Sequence, residues 1–323
     1  MTKGTKQPFP VDELGQRVVS EVEKAIVGKK RLLEMVMAAI LSSGHILIED
    51  YPGLGKTLLA KSFATALGLD FKRIQFSPDL LPSDITGGYI FEREKSSFKL
   101  HKGPIFSNII LADEINRASP KTQSALLEAM QEGQVTLDGE TMKLPEPFIV
   151  IATQNPIEYE GTFPLPEAQL DRFLIKVSVG YPSADEEKQI LQRRRERRQD
   201  EFDLVKVTTA KELLAMQQAV EDVYVDGDIE SYIIDLVKKT RTDNRVAVGA
   251  SPRGSLALLK LIRSWAALNK RDYVIPDDVK LFSEPALVHR LILKPDLWLK
   301  QNAASEVISE IVSSVPVPVL QDA

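Results

Sequence analysis

The chain has 323 residues, which is long enough to bury a large core and to form two domains. With 41 basic and 46 acidic residues its net charge is −5, so the basic excess typical of nucleic-acid-binding domains is missing. It has no cysteine, which excludes disulfides and thiolate metal sites, and its three histidines lack the spacing of a zinc site. No stretch has the pattern of a membrane span or a signal peptide, so we expect a soluble cytoplasmic protein.

Two helices are predicted first, over residues 11–26 and 30–41, from apolar residues spaced near 3.6 positions apart. A short apolar strand, residues 46–48, then leads into a glycine-rich turn and a helical stretch, residues 58–67. Strand, glycine loop, Lys-Thr and helix is the order of a phosphate-binding P-loop. The predicted nucleotide-binding residues are Pro52, Gly53, Leu54, Gly55, Lys56, Thr57 and Leu58.

The chemistry of this loop follows from its backbone and two side chains. Amide N–H groups at the loop and the helix N-terminus face the phosphates, and the helix dipole favours their negative charge. Lys56 is expected between the β- and γ-phosphates, and the Thr57 hydroxyl is expected to hold Mg²⁺. The usual pattern has glycine where this chain has Asp50. The carboxylate of Asp50 either weakens nucleotide binding by repelling the phosphates or points away from them and caps a turn.

A second buried strand is predicted over residues 109–112 and ends in two acids, the Walker B pattern. In open α/β sheets, ligands bind at the carboxyl ends of strands. Asp113 is therefore expected to hold Mg²⁺, and Glu114 to polarise the attacking water. A third strand, residues 148–152, leads to Asn155, which either holds the water or senses the γ-phosphate, or only caps the turn at Pro156.

Two arginines are further candidates. Arg172 ends a predicted helix, residues 165–173, before a fourth strand at 174–179, and is a candidate arginine finger. From the residues alone, the favoured interpretation is instead a helix C-terminal charge or a partner of Asp171. Arg253 follows a Ser-Pro helix start, where a cation opposes the dipole, so we expect it to face an anion such as the γ-phosphate.

The remaining elements divide the chain. Hairpins are predicted over residues 89–100, with the turn near 95–97, and over residues 134–144, with the turn at Asp138-Gly139. Beyond residue 181 only helices are predicted, the first of them anchored by Ile190 and Leu191. We therefore predict a nucleotide-binding core, residues 1–181, and a helical domain, residues 182–323.

Three long stretches closely resemble the MoxR family of AAA+ ATPases. They are GPIFSNIILADEINRASPKTQSALLEAMQE (103–132), FIVIATQNPIEYEGTFPLPEAQLDRF (148–173) and GASPRGSLALL (249–259). The resemblance implies an α/β P-loop NTPase fold, in which an αβα core with a parallel five-stranded sheet is followed by an all-helical lid. It also implies that the two hairpins are the inserts of this family, the helix-2 insert and the pre-sensor insert.

The resemblance assigns further roles to single residues. Asn155 would be sensor 1 and Arg253 sensor 2, while Val27 and Gly28 would lie near the adenine. Arg172 would reach the nucleotide of a neighbouring subunit, which implies a ring, usually a hexamer, and Arg117 would face the same interface.

The implied activity is Mg²⁺-dependent hydrolysis of ATP to ADP and phosphate that matures or activates partner proteins, often ones with a von Willebrand factor A domain. Two alternatives remain. A nucleic-acid motor needs basic hairpins, yet Arg93, Lys95, Lys99 and Lys102 are offset by Glu92 and Glu94. Nucleic acid is therefore not the expected partner. The other alternative is a nucleotide-gated scaffold with little hydrolysis.

Overall fold

The computed structural model describes residues 9–94, 96–156, 161–298, 300 and 302–318. Its strands are β1 Ile46–Glu49, β2 Phe71–Gln75, β3 Gly87–Glu92, β4 Ser97–Lys102, β5 Ile109–Asp113, β6 Gln134–Leu137, β7 Glu140–Lys143, β8 Ile149–Gln154, β9 Ile175–Val177, β10 Val246–Val248 and β11 Ile292–Leu293. Its helices are α1 Val11–Glu23, α2 Lys30–Leu41, α3 Lys56–Leu67, α4 Pro82–Thr86, α5 Pro120–Glu132, α6 Glu167–Leu170, α7 Ala184–Arg197, α8 Ala210–Val220, α9 Gly227–Thr242, α10 Pro252–Leu268, α11 Pro276–Leu287 and α12 Ala303–Ser314. Among these described helices, none is both long and apolar enough to cross a membrane.

Five strands form one parallel sheet in the order β2-β5-β8-β1-β9, which confirms the predicted sheet. Successive side chains of these strands enter opposite hydrophobic layers, as a strand period of two requires. Ile46 and Ile48 lie in the layer with α1, α2 and α3, whereas Leu47 lies in the layer with α5. The sheet is thus covered on both faces, the arrangement of an αβα core.

The C-terminal region is helical, as predicted, except for a two-stranded antiparallel sheet formed by β10 and β11. Its helices α8 to α12 share one hydrophobic layer with α1 and α2. The approach of α1 to α10 is close, because a Cβ on Gly15 would lie 2.5 Å from Cδ1 of Leu268. Between α2 and α10, the buried hydroxyls of Ser42 and Ser264 lie 2.7 Å apart. The two predicted domains therefore pack through a continuous core, and the boundary at residue 181 stays a prediction.

Two predicted helices differ from the structure. The sequence also predicts a helix over residues 116–131, with Leu126, Leu127 and Met130 facing inward. In the structure this helix begins only at Pro120, since the Ser119 hydroxyl caps it by accepting from the Thr122 amide. The helix expected over residues 165–173 is reduced to α6. The hairpins fall where they were predicted, although Lys95, in the first predicted turn, lies outside the described residues.

The predicted anchors of α7 are wrong. Ile190 and Leu191 are 43% and 68% exposed, and α7 buries no residue. The helix is held by polar contacts instead: Nη1 of Arg193 donates to the carbonyl oxygens of Glu23, at 2.7 Å, and Lys24, at 3.2 Å. These carbonyls lie at the C-terminus of α1, where a cation is favoured.

Buried His45 joins β1 to the neighbouring layer in a defined tautomer. The Val150 amide donates to its Nδ1 at 3.0 Å, so Nε2 carries the proton and donates to the Met130 carbonyl oxygen at 3.0 Å. Desolvation by burial lowers the pKa of His45 from 6.5 to about 4. The folded protein therefore takes up this proton only below the pH at which the unfolded chain does.

We expect His45 to make folding stability depend on acidity. Because its folded pKa is depressed from 6.5 to about 4, its contribution is complete above pH 6.5 and is lost as pH falls towards 4. His45→Gln should remove up to about 3 kcal/mol of the fall in unfolding free energy between pH 7 and pH 4. Urea unfolding at several pH values measures this slope. His101→Gln, at an exposed site on β4, is the control, and equal slopes for both variants would contradict the assignment.

Candidate nucleotide-binding site

The carboxyl ends of β1, β5 and β8 lie side by side, because these strands are neighbours in a parallel sheet. A cavity of about 400 Å³ opens there. It is lined by Pro52, Gly53, Gly55, Lys56, Thr57, Leu58, Arg73, Asp113, Glu114 and Asn155. The structure thus brings together most of the residues that the sequence singled out, and it adds Arg73.

The glycine loop has the backbone that phosphate binding needs. Gly53 and Gly55 both have φ of +82°, a left-handed conformation that side chains rarely adopt. Gly55 is also the residue before α3, so no side chain caps the first amides of that helix. Lys56 Nζ donates to the carbonyl oxygens of Asp50, at 2.7 Å, and Tyr51, at 3.1 Å, which holds its charge at the loop.

Asp50, the departure from the usual loop pattern, points away from this cavity. Its Oδ2 accepts from the amides of Val179 and Gly180, each at 2.7 Å, and from the Ser178 hydroxyl at 3.0 Å. The residue is only 5% exposed. The sequence left two alternatives, repulsion of the nucleotide or capping of a turn. In the structure the carboxylate caps the turn that follows β9, and it thereby links the loop to the start of the C-terminal region.

We expect Asp50→Gly to destabilise the protein without tightening nucleotide binding. The substitution restores the usual glycine but removes the acceptor of the buried Val179 amide, at a cost of about 1–3 kcal/mol for an unpaired buried donor. It also removes the acceptor of the half-buried Gly180 amide and of the exposed Ser178 hydroxyl, which water can replace in part. Chemical denaturation should show the lost stability, and calorimetric titration with Mg-ATP should show no gain in affinity. Asp50→Asn, which keeps an acceptor oxygen, should lose less. Tighter Mg-ATP binding by Asp50→Gly would mean that the carboxylate does repel the phosphates.

Asp113 is fixed by contacts to both neighbouring strands. Its Oδ1 accepts from the Thr153 hydroxyl at 2.7 Å, and its Oδ2 accepts from Nη2 of Arg73 at 2.7 Å and from Nε at 3.0 Å. The carboxylate is thereby held at the cavity wall with its charge balanced. An oxygen ligand so oriented suits Mg²⁺, which binds one or two carboxylates and phosphate oxygens.

Glu114 has a left-handed backbone, with φ of +56°, which is rare for residues other than glycine. Its amide donates to the Thr153 hydroxyl at 2.8 Å. Its Oε2 accepts from Nε2 of Gln75 at 2.8 Å and from Nη1 of Arg117 at 3.2 Å. The strained turn and these two donors hold the carboxylate at the cavity.

Arg73 and Gln75 were missed by sequence reasoning. They alternate with Ile74 on β2, so they share one face at the edge of the sheet. The alternation is visible in the sequence FKRIQ, but this local pattern does not predict that β2 lies next to β5.

Asn155 follows β8, is 5% exposed and lines the cavity, which is where a residue that senses the phosphate must lie.

The two predicted arginines lie elsewhere. A separate cavity of about 300 Å³ is lined by Arg172 and Arg253, together with Asp171, Lys260 and Arg290. Arg172 donates from Nη1 to the carbonyl oxygen of Leu127. Nη1 of Arg253 lies 3.9 Å from Oδ2 of Asp171, and the Arg253 side chain is 54% exposed. Both side chains thus line the same cavity.

Arg253 therefore does not line the cavity of its own glycine loop, where a γ-phosphate would bind. The start of α10 is tied to the segment before β9 instead, because the Ser251 hydroxyl donates to Oδ2 of Asp171 at 3.1 Å. Packing of α10 against α1 and α2 keeps it there.

Val27, Gly28 and Leu54, also predicted to bind nucleotide, are not among the residues that line the cavity. Gly28 has φ of +73°, and a Cβ there would lie 1.9 Å from Oε1 of Glu186, so the glycine lets α7 approach. Their nucleotide contacts stay a prediction.

Family comparisons agree with this geometry. Residues 45–175 match the ATPase family associated with various cellular activities (AAA), and residues 238–311 match the AAA lid domain. The chain is 49% identical to the uncharacterized protein YeaC of Bacillus subtilis over 95% of this chain and 96% of that one. It is 42% identical to chaperone MoxR1 of Mycobacterium tuberculosis over 94% of this chain and 82% of that one.

A solved structure shares the whole architecture. The crystal structure of a candidate ATPase from Cytophaga hutchinsonii superimposes with a TM-score of 0.89 at 39% sequence identity. The match covers 96% of each chain, so it includes the helical C-terminal region as well as the core.

Proposed function

Because this chain belongs to the MoxR family of AAA+ ATPases, we propose that it hydrolyses ATP in a ring and uses the cycle to mature or activate partner proteins. One observation carries the proposal: Lys56, Thr57, Asp113, Glu114 and Asn155 meet in one cavity at the carboxyl ends of three adjacent strands. This is the set that phosphoryl transfer to water needs, namely phosphate binding, a metal site and a residue that activates water.

Each residue has one task in the proposed reaction. The loop amides and Lys56 hold the phosphates, and Glu114 orients and polarises the water that attacks the γ-phosphorus. Asn155 holds that water or the γ-phosphate. Thr57 and Asp113 would hold Mg²⁺, and their oxygen donors fit this ion. When bound, Mg²⁺ neutralises charge that develops on the phosphate oxygens.

The proposed active site is completed between subunits. Arg172 and Arg253 line a cavity other than the glycine-loop cavity of their own chain, so we infer that an anion they contact is brought by a neighbour. A head-to-tail contact of this kind closes into a ring when its rotation allows, and a hexamer is the proposed size. Arg172 supplies the finger, and Arg253 adds a second positive charge.

The first hairpin is the proposed contact for partner proteins. Phe91 and Phe98 are directly paired across β3 and β4, with ring centroids 5.2 Å apart, yet they are 50% and 70% exposed. Ile90 beside them is 54% exposed. An exposed apolar patch of this kind favours a protein-binding surface. A partner with a von Willebrand factor A domain is the proposed client class.

We expect Phe91→Ser/Phe98→Ser to lose the chaperone activity while Mg-ATP hydrolysis without client stays within about twofold, because the pair lies outside the nucleotide cavity. Light scattering by heat-unfolded citrate synthase, with Mg-ATP present, measures the first property, and phosphate release measures the second. Phe91→Leu/Phe98→Leu keeps the patch apolar and is the matched control. If both double variants suppress the aggregation of citrate synthase equally well, the hairpin is not the contact for partner proteins. If the wild-type protein does not hydrolyse Mg-ATP, the proposed ATPase activity is wrong.

A further inference from the structure

Arg290 is a buried arginine in the C-terminal region that contacts the segment carrying Arg172. It follows α11, and its side chain is only 3% exposed. Nε donates to Oδ1 of Asp171 at 2.7 Å, and Nη2 donates to the carbonyl oxygen of Phe173 at 2.7 Å. Nη1 donates to the carbonyl oxygen of Leu174 at 3.3 Å. A buried guanidinium is stable only when its charge and its N–H groups are matched in this way.

These acceptors bracket Arg172 on both sides. Asp171 precedes it, and Phe173 and Leu174 follow it, so the guanidinium of Arg290 fixes the backbone from which the Arg172 side chain projects. Neighbouring His289 adds to the contact, since its Nε2 lies 2.9 Å from the carbonyl oxygen of Phe173. Three residues of the core segment 171–174, all but Arg172 itself, are thus contacted by two consecutive residues of the C-terminal region.

The carboxylate of Asp171 connects the second arginine to the same unit. While Oδ1 accepts from Arg290, Oδ2 accepts from the Ser251 hydroxyl at 3.1 Å and lies 3.9 Å from Nη1 of Arg253. Ser251 also caps α10, on which Arg253 stands, through the Arg253 amide at 3.2 Å. One carboxylate therefore sets the position of exposed Arg253 relative to half-buried Arg172.

We propose that Arg290 is a positioning residue that locks the lid to the Asp171–Arg172 segment, so that Arg172 and Arg253 reach the neighbour's nucleotide as one rigid pair. This rests on the proposed function, in which both arginines act between subunits. Arg290 itself is buried and contacts no nucleotide. Its consequence is mechanical: a shift of the lid in one subunit displaces the arginine pair that serves the next subunit. A misplacement of about 1 Å is enough to lower a rate about 10²-fold.

Mixed rings test the proposal, because they separate the subunit that gives the arginines from the subunit that holds the nucleotide. Lys56→Ala subunits keep Arg172 and Arg253 but lose the lysine contact to the phosphates. Arg172→Ala subunits keep the lysine contact but lose the proposed arginine finger. Each alone should be inactive. A 1:1 co-expressed mixture should recover roughly a quarter of the wild-type rate, since one head-to-tail interface in four pairs the two intact halves.

Arg290→Lys is then placed in one partner at a time. It keeps the charge but loses the planar fork that reaches several acceptors at once. In the Lys56→Ala subunit, which gives the arginines, it should lower the recovered rate at least tenfold. In the Arg172→Ala subunit, which only holds nucleotide, it should leave the recovered rate within about twofold. Asp171→Asn should show the same asymmetry.

The possible results are distinct. No recovery in the parent mixture refutes the proposed action of arginine between subunits, whatever Arg290 does. If Arg290→Lys and Asp171→Asn abolish the recovered rate in whichever subunit carries them, both residues have a general structural role. If neither substitution lowers the recovered rate in either subunit, the residues have no role in positioning. Either result overturns the positioning proposal. Assembly of each mixture, measured by light scattering after size exclusion, confirms that rates are compared between rings of equal size.

Discussion

Glu114→Gln should bind Mg-ATP with nearly wild-type affinity and turn it over about 10²–10⁴-fold more slowly, the range that removal of a general base gives. The amide is isosteric with the carboxylate, so the contacts of this side chain with Gln75 and Arg117 need little rearrangement. What the amide lacks is the negative charge that accepts a proton from water. Binding and turnover are therefore expected to separate.

Calorimetric titration and steady-state phosphate release measure the two quantities on one preparation. Glu128→Gln, on the exposed face of α5, is the matched control and should leave both unchanged. Unchanged turnover in Glu114→Gln would refute its role with water. Loss of binding as well would mean that the carboxylate supports the loop rather than the chemistry. Bound nucleotide without turnover in wild type would favour the scaffold alternative, or a requirement for a client.

Arg172→Ala should have a low ATPase rate at every protein concentration, whereas the wild-type rate per subunit should rise with concentration as rings assemble. An arginine finger contributes about 10³–10⁵-fold to turnover. The expectation follows from placement, because Arg172 lines a different cavity from the glycine loop of its own chain. In the proposed ring, the site of Arg172 is complete only when a second subunit supplies the nucleotide.

The measurement is phosphate release across a wide range of concentration, with sedimentation velocity to report assembly. Arg195→Ala, an exposed arginine on α7, controls for loss of surface charge and should behave as wild type. Should Arg172→Ala and wild type match at every concentration, Arg172 is a structural residue bound to the Leu127 carbonyl, and the proposed ring loses its main support.

The sequence alone determined the elements that are specified by a pattern of neighbouring residues. The glycine loop lies between β1 and α3, and Asp113 ends β5, because an apolar run followed by a turn is a local pattern that needs no knowledge of distant residues. The five-stranded sheet followed from family resemblance over most of the chain. The hairpin turn at Asp138-Gly139 was also local, since both residues take positive φ there.

Only the tertiary structure decided which residues meet from distant parts of the chain. Arg73 reaches Asp113 because β2 pairs with β5. The Asp50 side chain points away from the loop because β9 pairs with β1, which places the hydrogen-bond donors of residues 178–180 beside it. Arg253 joins Arg172 because the packing of α10 against α1 and α2 directs its first turn to Asp171. Strand order and helix packing are set by long-range burial and hydrogen bonding, which periodicity within one segment does not encode.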